Sequence, residues 1–193
     1  MKETFIISLL VIFIYIFFKI NNNKFVLIEA YNGQKILVND GENKQKSANL
    51  LAEIIERIYK LRNHLKRNID KYPDNQSCID LLCENLNEER TQIYENSNSS
   101  EYTSYSVNKG EEIVFCLKSR KNPNSLHDIN LMMYVAIHEL AHIGCYEIGH
   151  TDLFKKIFAF YLEVAIELGI YKHVDYEIDP VEYCGMILSS SII

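Results

Sequence analysis

Two apolar runs, residues 25–30 and 35–38, flank Tyr31-Asn32-Gly33-Gln34. Asn-Gly between apolar runs predicts a tight hairpin, because both central positions must accept positive φ. After a polar loop to Lys46, Ser47 reads as a helix N-cap, and apolar residues then fall at 51, 54, 55, 58, 61, 65 and 69. That spacing predicts an amphipathic helix of about six turns. Its other side carries Arg57, Lys60, Arg62, Lys66, Arg67 and Lys71, a solvated face rather than a site for an acidic partner. Tyr72-Pro73-Asp74 ends it.

Ile79, Leu82 and Leu86 predict a second helix from Cys78 to about Ile93. Residues 102–107 and 111–118 alternate around Asn108-Lys109-Gly110 as a second hairpin, with Ile113, Phe115 and Leu117 on one face. Two further helices are expected, from Leu126 or Asp128 to Ile143 and from Thr151 to Gly169, before a tail containing Pro180. Hairpin, helix, helix, hairpin, helix, helix is an α+β order.

Ahead of this lies a different pattern. Residues 5–18 read FIISLLVIFIYIFF without a charge. As a helix they span about 21 Å at ~1.5 Å per residue. Thr4, Ile20 and a snorkelling Lys19 extend that toward the ~30 Å bilayer core. No small-residue cleavage site follows, since Lys19-Ile20-Asn21-Asn22-Asn23-Lys24 comes next. The expectation is therefore an uncleaved transmembrane signal-anchor at 1–20, meeting the membrane through residues 4–20, and one folded domain at 21–193. Lys19, Lys24 and Lys35 against Lys2 lean that domain toward the cytoplasm, as do five potentially free cysteines.

Composition narrows the chemistry. Lys+Arg 20 against Asp+Glu 26 gives a net charge of −6, which argues against general nucleic-acid binding. The seven glycines have no phosphate-loop spacing. Cys78 and Cys83 lack the spacing and the second pair of a structural zinc knuckle.

The candidate chemistry is Ala136-Ile137-His138-Glu139-Leu140-Ala141-His142, an HExxH pattern. On a helix, residues four apart share a face, so both imidazoles can reach one metal ion. Glu139 is turned about 100° from His138, beside the metal, where a base takes a proton from water. Two imidazoles and a carboxylate in an otherwise apolar helix are costly unless a metal or hydrogen bonds satisfy them. A catalytic zinc wants a third protein ligand and an open place. His150 follows His142 after seven residues, with Gly144 able to end the helix and Gly149 easing the chain back toward the metal. Glu163, twenty-one residues after His142, and Glu167 compete for that place.

HELAH followed by GH-x-x-x-F (His150, Phe154) resembles the zinc metallopeptidases of the WLM and SprT-like group, including small membrane-anchored proteins of large DNA viruses. Tyr105-Ser-Val-Asn-Lys-Gly-Glu-Glu-Ile-Val-Phe-Cys-Leu117 resembles that group's sheet leading to the active helix. The likeness covers roughly residues 102–165. It implies a zincin-like domain, a sheet packed on the HExxH helix and the helix after it, with Zn2+ on His138, His142 and His150. Glu139 is then the general base in hydrolysis of a protein or peptide substrate. The strand 111–118 is a candidate for pairing with an extended substrate. The rival reading is a membrane-tethered structural or interaction protein that holds zinc without turnover. The tail residues Tyr183-Cys184-Gly185-Met186 offer a tyrosine or a Met-containing turn under the site, against ordinary tail packing. His64, His127 and His173 lack ligand spacing.

Overall fold

A computed structural model of the chain describes residues 25–193. β1 (Phe25–Glu29) and β2 (Lys35–Asn39) form the first hairpin, in antiparallel register from Phe25↔Asn39 to Glu29↔Lys35. Gly33 takes φ +82° in its turn, which only glycine adopts without strain. β2 packs Ile36 and Val38 into the core beside α1 (Lys44–Arg67).

α1 buries Leu51, Ile54, Ile55, Ile58, Leu61 and Leu65, the face its periodicity predicts. It starts before Ser47, so that residue is no cap: it is buried within the helix and its hydroxyl has no partner. The start is marked instead by a Lys44–Asp40 ion pair at 2.8 Å. The basic face is not wholly solvated either. Arg57 donates to the Ile170 carbonyl at 2.8 Å and Lys60 to the Leu168 carbonyl at 3.3 Å. Cations thereby satisfy acceptors just beyond a helix C-terminus.

α2 (Gln76–Asn85) is shorter than expected. At Asn87 the side chain accepts from the Glu89 N–H at 2.8 Å, a local turn that competes with helix. The residues beyond it form a strand, β3 (Gln92–Glu95). β3 pairs in parallel with β5 (Glu112–Phe115), which pairs antiparallel with β4 (Tyr105–Val107). The order β3-β5-β4 makes β5 central and β4 an edge. The expected substrate-pairing strand is therefore enclosed on both sides, and its neighbour β4 carries the open edge.

α3 (Ile129–Gly144) and α4 (Asp152–Glu167) follow, each with a side-chain N-cap. Asp128 accepts from the Asn130 N–H at 2.7 Å, and Thr151 from the Phe154 N–H at 3.2 Å. α3 is the centre of the molecule, packed against α1, α2, α4 and β4. The tail forms a further hairpin, β6 (Val181–Tyr183) and β7 (Met186–Leu188), turned at Cys184 and Gly185, both with positive φ. A Cys116–Cys184 disulfide, Cα atoms 6.4 Å apart, ties this hairpin to the end of β5. Two of the five thiols are thus not free, and the cysteine count no longer favours a reducing compartment.

The expected single-pass membrane location is corrected. Among the described residues no helix is long and apolar enough to cross a membrane. α1 is long but carries cations along one side. α3 is apolar but its 16 residues span only about 24 Å at ~1.5 Å each, short of a ~30 Å core. The stretch on which the span was expected, residues 4–20, lies outside the described residues.

Candidate metal centre

Of the residues in α3, only Ile129, Asn130, His138 and His142 escape burial. The helix can be this apolar because it has neighbours on every side. At its end Gly144 is helical, and its missing side chain is a packing need: a Cβ there would strike the Tyr161 hydroxyl and the Cys78 carbonyl. The chain leaves the helix in extended conformation at Cys145, and Gly149 turns it with φ +87° into His150.

The result is a convergence of three imidazoles. His138 Nε2 and His142 Nε2 are 3.1 Å apart, His142 and His150 3.2 Å, and His150 and His138 3.0 Å. Three tetrahedral ligand nitrogens at ~2.0–2.1 Å from zinc lie about 3.3–3.4 Å from one another. The donor set therefore fits a metal ion, and these three residues form a group able to hold one. Glu163 and Glu167 are exposed on α4 and are not part of that group. Phe154, one turn into α4, braces all three rings: it stacks on His142 at 4.2 Å and meets His138 at 5.0 Å and His150 at 4.9 Å.

Electrostatics favour neutral ligands. Burial, with the neighbouring histidines, pushes His138 down to about 3. Burial, His150 and the Lys109 cation bring His142 to about 4. Neutral imidazole is the metal-binding form. Glu139 is 5% exposed, and burial pushes its carboxyl up to about 7 against hydrogen bonds from the side chain and main chain of Ser106 in β4. A carboxyl poised near neutrality can both accept and return a proton.

These groups open into a cleft of about 730 Å³. Residues 103–106 of the β4 segment line one side, and Tyr134, Val135, Tyr183, Met186 and Leu188 give it apolar walls. Tyr183 is thus at the site, as the tail motif allowed. Its hydroxyl hydrogen-bonds Ser104 Oγ, and burial keeps it protonated, helped by the charge of Glu139. Ser106 and Lys109 carried no signal of their own in the sequence, because their roles depend on how the hairpin is docked. His127 is buried, accepts from the Cys184 N–H at 3.3 Å and is not part of the group of three. His64 lies 3.5 Å from the Tyr72 hydroxyl, and His173 meets the Ile193 carbonyl at 2.9 Å.

No protein-family model matches the chain. It is 45% identical over 157 residues to "Uncharacterized protein R325" of Acanthamoeba polyphaga mimivirus, across 81% of this chain and 78% of that protein. The chain belongs to the R325 family. Within the same viral set, it is 39% identical over 69 residues to "Uncharacterized protein 136R" of Invertebrate iridescent virus 6, across 35% of this chain and 38% of that one. Among solved structures, Wss1 from Saccharomyces cerevisiae aligns with a TM-score of 0.49 and 18% identity, over 66% of this chain and 83% of that one.

Proposed function

We propose that residues 25–193 form one zinc-dependent metallopeptidase domain of the WLM and SprT-like kind, hydrolysing peptide bonds in a protein or peptide substrate. The observation that carries this is the meeting of three Nε2 atoms within 3.0–3.2 Å on a helix that also holds a buried glutamate. His138, His142 and His150 would hold Zn2+, which when bound lowers the pKa of water toward ~7 and polarises a carbonyl. Glu139 accepts the proton of the attacking water and returns it to the leaving amine. Ser106 holds the carboxylate in place from the β4 side. The open edge of β4 supplies main-chain partners for an extended peptide, whose side chains would then meet the walls of the cleft.

The test uses the full chain loaded with Zn2+, a panel of denatured proteins, and a Glu139→Gln form. Metal analysis is expected to give about one zinc per chain in both, with cleavage only by the parent. If both hold zinc and neither cleaves, the site is structural. Absence of bound metal from the parent removes the reading altogether.

A further inference from the structure

We infer that Lys109 is the positioning residue for the third histidine: its ammonium, delivered by the β4–β5 turn, holds the α3–α4 connection so that His150 meets His138 and His142. The inference rests on the metal-site reading and extends it to a residue that supplies no ligand atom.

The last turn of a helix leaves carbonyls without intrahelical partners. Here no left-handed glycine closes α3, because Gly144 is helical and Cys145 is extended. Lys109 Nζ does that work, donating to the carbonyls of His142 at 3.1 Å, Cys145 at 2.5 Å and Glu147 at 3.0 Å. An ammonium has three N–H donors, and all three are used. The acceptors belong in turn to the helix, its cap and the connection, so one side chain ties the three together. Among the described residues no other side chain bonds the main chain of 145–149. Beyond Cys145, which is buried in the core, apolar burial does not hold this stretch, since Tyr146 is 72% and Ile148 90% exposed.

The turn that presents Lys109 is itself committed. Asn108, Lys109 and Gly110 all have positive φ, at 47°, 57° and 109°. A lysine in the left-handed region is disfavoured and persists where its surroundings hold it. Asn108 Nδ2 donates to the Glu111 carboxylate at 2.7 Å, across the turn. Gly110 lies so close to α2 and α3 that a Cβ would meet the Asn85 carbonyl oxygen and Ile143, each at 3.3 Å. The hairpin is thus seated against the end of α3, and its lysine reaches the connection from there.

The experiment measures Zn2+ affinity by competition with a chromophoric chelator. It also records the visible spectrum of the Co2+-loaded protein, for the full chain and for Lys109→Met, Lys109→Gln and Lys109→Arg. Lys109→Met is expected to weaken Zn2+ binding roughly 10- to 100-fold and to shift the Co2+ bands as the third imidazole is lost. Lys109→Gln moves the same way, and Lys109→Arg restores most of the affinity. Parental affinity and spectrum in Lys109→Met overturn the inference and leave the metal site standing, whereas a parent that binds no metal ends both. Should Lys109→Met fail to fold, the Gln and Arg forms carry the comparison, and equal affinity in those two overturns it.

Discussion

α1 and α3 both lie against the core, yet they treat polar residues in opposite ways. α1 separates its faces, with Leu51, Ile58, Leu61 and Leu65 inward and its cations in solvent or, for Arg57, Lys60 and Arg62, on the carbonyls of Ile170, Leu168 and Cys83. α3 has no polar face to spare, and Glu139 is buried among apolar neighbours beside half-buried His138 and His142. A lysine on α1 keeps its hydration. Each polar group on α3 must instead find a partner or cost several kcal/mol. Periodicity therefore tells which side of a helix packs, and departures from apolarity in a buried helix tell where chemistry is kept.

The sharpest way to test this contrast is at Glu139. Glu139→Gln preserves shape and is expected to lower kcat roughly 10²- to 10⁴-fold while zinc stays bound. Full turnover in that form would place the base elsewhere. Next come the apolar faces, where the two helices should behave alike. Leu61→Ala in α1 and Leu140→Ala in α3, both fully buried, should each cost about 2–5 kcal/mol in denaturant unfolding. A loss below about 1 kcal/mol at either would show that its surroundings collapse to fill the gap.

A smaller effect separates them by pH in chelator-treated protein. Folded His138 and His142 titrate near 3 and 4 against 6.5 in the open chain, and folded Glu139 near 7 against 4.5. Between pH 4.5 and 6.5 the unfolded chain binds more protons at two histidines and fewer at one glutamate. The balance is positive, so stability rises with pH and levels off near 7, where ionisation of Glu139 offsets the histidines. Melting temperature across this range checks it, and Glu139→Gln should steepen the rise. A flat profile would mean the three groups are not buried as described. Last, Lys66 is exposed on α1, and Lys66→Ala should change stability by no more than about 0.5 kcal/mol.

What could be read from the chain follows the range of the forces involved. Both early hairpins, the stripe of α1 and the HExxH helix are set by neighbours within a few residues, and these were legible. β3 was not, because Gln92–Glu95 is a strand only by direct parallel pairing to β5, with β4 coming between them in the chain. The β6–β7 hairpin escaped notice for a related reason: three-residue strands carry almost no periodicity. The histidine triad lay between these cases. His138 and His142 are joined by one helical turn, but His150 needs a connection whose geometry depends on Lys109, thirty-six residues before Cys145. The two histidines of the motif were readable as a pair, and the third needed the resemblance to favour it over Glu163.

The disulfide has one more effect. Cys116 and Cys184 are 68 residues apart, and the closed covalent loop between them contains α3, α4 and all three converging histidines. Tyr146 and Ile148 stand out from that loop and offer an endoprotease an obvious place to cut. Such a cut would not release either half. The two pieces would remain one molecule, migrating together on a gel until a reductant parts them, so an apparently intact band is no proof of an unbroken chain.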